Sequence, residues 1–369
     1  MNDQETLSSK LAVAACALLG ATVTSSASAQ DEAKNWSFDS SLLYYGEDDG
    51  RVQDISAAIA AQRRFGDDRT LSATLTADTL TGASASGAIA LDTPQTFTSP
   101  SGRATYTTPA GEVPLDDTFL DTRFALNMSW SQPLAELYTF SAGLGFSTEY
   151  DYQHLGGNLS LSRDFNKRNT TLSASVAWSQ DEIDPVGGAP VPLSQMLDVG
   201  NLQNKRSGDS KNVLDLLLGV TQVVGRNTVV RVNYSYSNSS GYLNDPYKIL
   251  SVVDPVTGDT IGRIPTGEGP TGVYLYEGRP DSRTKQSLYA EGKHAFGTHV
   301  LRLAYRYMTD DWGIDSSTIE TSWRWPIGST SYIEPQLRYY TQSAADFYRS
   351  SIVDGQPLPQ YSSSDFRLG

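Results

Sequence analysis

Seven charged residues in the last third of the sequence carry its clearest chemical pattern. Glu291, Arg302, Arg306, Glu320, Arg324, Glu334 and Arg338 alternate with apolar neighbours along four successive segments of residues 283–340. Alternation with a period of two places all seven on one face of a sheet. Glu291 is then expected to face Arg302, Arg306 to face Glu320, and Arg324 to face Glu334. Cross-strand pairs of opposite charge contribute about 0.2–1 kcal/mol each, so the row can serve as a structural ladder. Around a water-filled passage the same row is a polarised constriction that selects solutes by charge. The two roles are compatible.

Carboxylates form a second pattern. They gather in short clusters: Glu47, Asp48 and Asp49; Asp116 and Asp117; Glu149 and Asp151; Asp310 and Asp311. Loop carboxylates suit Ca2+ or divalent-bridged lipopolysaccharide, although the spacing does not match an EF-hand loop. The plainer reading is solvated loop charge, and no cofactor other than Ca2+ is expected. The three histidines, His154, His294 and His299, are not spaced as a metal pair. His154, Asn158 and Ser160 share one face of one segment, but His154 and Ser160 lie about 20 Å apart in an extended chain. That separation is too long for a nucleophile and its base. Phosphate-loop, Rossmann and nucleophile-elbow patterns do not occur, and catalysis is not the expected role.

The charged row needs a scaffold, and the rest of the chain supplies one. About thirteen amphipathic segments follow one another. Phe38, Leu42 and Tyr44 share a face of the first; Phe124, Leu126, Met128 and Trp130 share a face of the fourth; Leu214, Leu216, Leu218 and Val220 share a face of the eighth. In the last four, Leu288 and Ala290, Leu301 to Tyr307, Ile319 to Trp325, and Ile333 to Tyr339 continue the pattern. Connections after even-numbered segments are short. The long ones, about residues 80–117, 181–211, 239–282 and 343–365, all fall at the other end. A Greek-key sandwich does not sort its loops this way. An antiparallel up-and-down transmembrane β-barrel does, with apolar faces toward lipid and polar faces inward. The inward faces of segments five to seven are small, with Ser141, Gly143, Gly145, Ser160 and Ser175 among them. Trp36, Trp130, Trp178, Trp323 and Trp325, with many tyrosines, read as interface girdles and less well as a sugar-stacking track.

Bacterial single-chain barrels have an even number of strands. The final residues SSDFRLG look like the start of a fourteenth, so a 14–16-stranded barrel, incomplete at its C-terminal side, is expected. Pro335 deletes a ladder hydrogen bond, and its strand is expected to begin near it or to bulge there.

Composition agrees with this scaffold. Apolar residues make up 38% of the 369, and beyond the N-terminus no apolar run approaches the twenty needed for a membrane helix. A net charge of −14 argues against a nucleic-acid partner. Lys10, the apolar residues 11–23 and the sequence Ala27-Ser28-Ala29 form an export leader cleaved after residue 29. Cleavage removes Cys16, the chain's only cysteine. Residues 30–369 are then the barrel, resident in the Gram-negative outer membrane, with lipid and lipopolysaccharide as partners.

Particular stretches have a further likeness. TLTGASASGA (79–88), QTFTSPSG (95–102), Pro114-Leu115 with DDTFLDTRFAL (116–126), FSTEYDY (146–152), RDFNKRNTTLSA (163–174) and DPVGG (184–188) resemble the bacterial family called domain of unknown function 3570. The resemblance covers the mature chain. It implies an outer-membrane barrel, supplies no catalytic or binding residues, and implies an association with envelope lipoproteins and redox components. The expected role is a pore, transport or export component; the alternative is a non-conducting barrel that anchors lipoprotein or redox partners.

Overall fold

The computed structural model describes residues 36–47, 52–66, 68–99, 105–198, 201–262, 272–328 and 331–369. The expected leader, with Cys16, and Asp48 and Asp49 lie outside the described residues. One antiparallel meander makes the wall. Its strands are β1 (Trp36–Gly46), β2 (Val52–Arg64), β3 (Thr70–Ala85), β4 (Leu115–Ala135), β5 (Tyr138–Thr148), β6 (Tyr152–Phe165), β7 (Thr170–Ile183), β8 (Asp209–Gly225), β9 (Thr228–Gly241), β10 (Ser282–Phe296), β11 (His299–Asp310) and β12 (Asp315–Ile327). The next, β13, has two parts, Ser331–Ile333 and Gln336–Gln342. Each strand pairs with its sequence neighbours, and β1 and β13 are paired on one side only.

Register aligns like with like. Leu159 lies beside Val176, Val176 beside Leu216, and Leu216 beside Tyr236. Because side chains alternate, a slip of one residue would turn each strand's apolar set to the opposite face. The apolar set stands on the outside. Leu42 is 76% exposed, Leu144 63%, Leu218 57% and Leu337 70%, a belt that water does not tolerate and lipid does. Aromatic residues edge it at the short-turn end, where Phe65 packs on Trp130, Phe296 stacks on Trp323, and Arg163 lies over Tyr138 and Phe165. Gly297, at φ +61°, makes one of those tight turns, a conformation other residues resist.

Pro335 interrupts β13 without shifting it. Trp325 pairs with Ile333 and Ser322 with Gln336, so the register is the same on both sides. The Pro335 carbonyl still accepts from the Trp323 N–H at 3.2 Å. Only the donor that proline lacks is lost, and no bulge forms.

The buried core lies in the long connections, not in the wall. The described residues of 86–99, 105–114, 184–198, 201–208, 242–262, 272–281 and 343–369 fold together as a cap at one end. At its centre Ile249–Val253 pairs antiparallel with Tyr274–Tyr276 and parallel with Ser351–Val353. A hairpin, Gln95–Thr98 with Thr105–Thr108, packs against this ladder through Phe97, Tyr106 and Tyr274. Leu250 and Tyr274 have no exposed surface. Gly87, at φ +89°, passes close under this ladder, where a Cβ would lie 2.8 Å from the Ile249 carbonyl. The final residues do not start a further wall strand. Phe366–Leu368 is a turn of 3-10 helix capped by Asp365, and Leu368 packs on Trp312, Ile314 and Phe347. Burial of Leu368 and Asp365 in the cap outweighs the extended reading of SSDFRLG.

Candidate functional site

The wall and the cap line an open chamber of about 1310 Å3. Its sides are residues of β2 to β4 and β6 to β11 with Glu149, and its roof is Asn244 to Lys248, Arg279 and Arg367 of the cap. Side chains from so many strands meet at one cavity only because the sheet curls around it. A second hollow of about 360 Å3 lies along the inner wall beside Asn127, Gly145, His154 and Asn158.

Six of the seven row residues pair across β10 to β13 in two groups, with one change of partner. Arg302 bridges Glu291 at 2.6 Å and Glu320 at 3.1 Å. Lys293 lies 3.6 Å from Glu291, and Arg338 lies 3.7 Å from Glu320. Arg324 meets Glu334 at 2.8 Å. Arg306 does not meet Glu320. Glu320 stands level with Ala304, diagonal to both arginines, and Arg302 takes it because Arg302 is also drawn toward Glu291. Ala304, 2% exposed, leaves the space in which the Arg302 guanidinium spans both carboxylates. Arg306 instead lies over the Tyr289 ring at 5.4 Å and lines the chamber.

The acidic loop residues do not converge. Glu47 accepts from the Tyr45 hydroxyl at 3.0 Å. Asp310 takes the Arg283 guanidinium at 2.8 Å and the N–H groups of Trp312 and Ile314. Asp311 caps the Thr284 N–H at 2.9 Å. Asp151 accepts from the Tyr247 hydroxyl at 2.5 Å, and burial pushes its carboxyl up from the usual range. Burial, with Asp121 as its hydrogen-bond partner, pushes Glu149 up to about 7. Asp116 is buried and accepts from Ser99 at 2.5 Å. Among the described residues no group of three or more His, Cys, Asp or Glu is placed to hold a metal ion.

Two polar clusters escaped sequence reasoning. At the inner rim His154 lies 2.6 Å from Asp181, Lys211 lies 2.9 Å from the same carboxylate, and Lys211 also donates to Tyr152 at 3.2 Å. The signal for this cluster was register, since His154, Asp181 and Lys211 are level on β6, β7 and β8.

The second cluster joins two connections of the cap to each other. Glu277 is 2% exposed and Asp365 2% exposed. Arg279 joins them, 2.7 Å from Glu277 and 3.0 Å from Asp365. Glu277 also accepts from the Asp245 N–H and from Ser363 at 2.5 Å. Arg367 links Asp365 at 2.9 Å to Asp245 at 3.2 Å. Burial pushes Glu277 up to about 7, against the pull of Arg279. Burial also opposes the charge on Asp365, but the Arg367 hydrogen bonds hold its carboxyl below the usual range. No spacing rule signals this cluster, because its members come from two connections far apart in the chain.

Among solved structures the chain aligns with outer-membrane proteins at low likeness. With the ferric-catecholate import receptor Fiu of E. coli K12 in its open form, the TM-score is 0.42 at 10% identity, covering 83% of this chain and 55% of that one. This chain therefore spans about half the length of that receptor. With the TodX monoaromatic hydrocarbon channel, a deltaS2 mutant, the score is 0.41 at 10% identity, covering 82% and 81%. With the NanC porin it is 0.30 at 10% identity, covering 73% and 86%. Among curated proteins none matches. A family model described as "Protein of unknown function (DUF3570)" matches residues 8–369. A match of that length places the assignment beyond the motifs that first carried it: the chain belongs to the DUF3570 family.

Proposed function

We propose that this protein is a gated transport or export barrel of the Gram-negative outer membrane, its long-loop end facing outward. The carrying observation is the roofed chamber of about 1310 Å3, in which charged and polar side chains stand among apolar ones and which a cap with its own buried core covers at one end. A non-conducting anchor needs an apolar belt but has no use for a large hydrated interior bearing unneutralised charge. The belt supports the membrane location, since exposed aliphatic side chains on every side are stable only against lipid. Four connections meeting on one short ladder support a cap that moves as a unit, by the order of hinge or lid motions.

The experiment is conductance in planar bilayers. The full-length protein should conduct weakly while the cap is seated. Arg279→Ala, which leaves Glu277 and Asp365 buried without their bridge, should raise the open probability by about tenfold or more. Absence of current in both proteins would sink the transport reading and leave the anchoring role.

A further inference from the structure

The inward charges are unevenly distributed around the wall. β1 to β4 point Asp39, Asp54, Asp78 and Asp121 inward, and Glu149 follows β5 at the same rim. Two arginines share that side, Arg64 and Arg123, and Arg123 is spent on Asp78 at 2.6 Å. Across the lumen, β9 to β11 point six cations inward: Arg231, Arg283, Lys285, Lys293, Arg302 and Arg306. Two carboxylates, Glu291 and Asp310, answer them there. Among the described residues Arg231, Lys285 and Arg306 have no carboxylate within ion-pair distance; Asp215, on β8, is the further acid facing Lys285, from two strands away.

These banks face each other. β4 and β10 are six steps apart in the order of the wall. In a curled sheet of thirteen strands that separation is close to a diameter. Asp121 and Glu149 on one side, and Lys285 and Arg306 on the other, line the same chamber. Charges that only brace a wall are placed in pairs, as Arg302 and Glu291 are. The hydrogen-bonded Asp121 and Glu149 carboxyls on one wall, and Lys285 and Arg306 without an ion pair on the other, set up a transverse field, which low-dielectric walls focus onto whatever occupies the space between them.

We propose that the chamber is a binding station for zwitterionic solutes, with the cationic group toward Asp121 and Glu149 and the anionic group toward Lys285 and Arg306. The proposal rests on the transport reading above and names its substrate class.

Cysteine modification tests it in detergent-solubilised full-length protein, with no need for current. In a Cys16→Ser background, Ser287→Cys places a thiol two residues from Lys285, and Ser147→Cys places one two residues from Glu149. Rates are measured with a trimethylammonium and a sulfonate methanethiosulfonate, each relative to its rate with a free thiol. The Ser287→Cys thiol should favour the anionic reagent by about tenfold, and the Ser147→Cys thiol the cationic one by a similar factor. Lys285→Gln with Arg306→Gln should flatten the first preference and spare the second. Either single substitution should give a partial loss, which covers a failure of the double variant to fold. Triglycine, a zwitterion, should slow both reactions, whereas its N-acetylated, C-amidated form should not. Equal preference at the two thiols, or equal slowing by the two peptides, would overturn the proposal. A silent bilayer recording with these rates intact would overturn the transport reading alone.

Discussion

In the wall, Leu42, Leu144 and Leu218 stand exposed on the outside while the inner surface carries Glu291, Arg302 and Glu320. The cap reverses this order. Leu250 and Tyr274 are wholly buried there, with Phe97, Ile249 and Ile352 around them. One chain thus folds against two solvents. The wall satisfies its backbone by strand pairing and leaves its apolar side chains for lipid. The cap gathers its apolar side chains away from water, as a small water-soluble domain does. The two regions also use charge differently. Ladder carboxylates range from the buried Glu291 to Glu320, which is 33% exposed, whereas Glu277 in the cap is 1% exposed at its side chain. Losing a partner should therefore be cheap in the wall and costly in the cap.

Three measurements press on that contrast. The largest effect is expected from Arg279→Ala. Removing one member of a buried ion cluster typically costs about 3–5 kcal/mol. Hydrogen exchange at Ile249–Val253 and Tyr274–Tyr276 should accelerate by two or more orders of magnitude, with β6 to β9 unchanged. Equal acceleration in wall and cap would show that the two unfold as one unit.

The next effect is a pH dependence confined to the cap. Glu277 is raised to about 7 in the folded protein, so the fold favours its protonated form. That contribution is fully present below about pH 4.5, the ordinary range of a glutamate, and is lost as pH rises through 7. Asp365 has the opposite sign: held low, it stabilises above its ordinary range and that contribution fades as the medium acidifies further. Cap protection factors, taken relative to the intrinsic exchange rate at each pH, should therefore fall between about pH 5 and 8, and Glu277→Gln should remove the fall. A flat profile would place Glu277 in the ionised state throughout.

The smallest effect belongs to the ladder. Arg302→Met removes contacts to Glu291 and Glu320 at distances of 2.6 and 3.1 Å. Partly exposed pairs contribute about 0.2–1 kcal/mol each. Urea unfolding of the wall in liposomes should shift by no more than about 2 kcal/mol. A loss comparable with that of Arg279→Ala would remove the distinction between the two regions.

The wall was legible in the sequence because its rule is local. Alternation at Leu301, Leu303 and Tyr305 defines a face without reference to any other strand, and tight turns join neighbours in chain order. Even the ladder could be drawn from that rule. Its error at Arg306 came from register: strand order and facing follow from alternation, but which diagonal partner Glu320 takes depends on which other carboxylate draws Arg302. The Glu149 and Asp121 contact was hidden for a similar reason, since a loop residue and a strand residue meet only after β4 and β5 are paired.

The cap was not legible. Its contacts join Tyr274 to Gln95, Lys248 to Ala85 and Glu277 to Ser363. Its segments are short, and none has a repeating pattern from which a face could be read. By itself, then, the sequence determined a period of two, the sorting of long from short connections and hence a lipid-facing barrel wall. Only the tertiary structure decided that those connections pack into a cap, that the cap roofs the lumen, and that acids and bases stand on opposite sides of it. The physical reason is range. Strand pattern and turn length act between neighbours, whereas a buried core or a transverse field exists only once distant segments have been brought to one place.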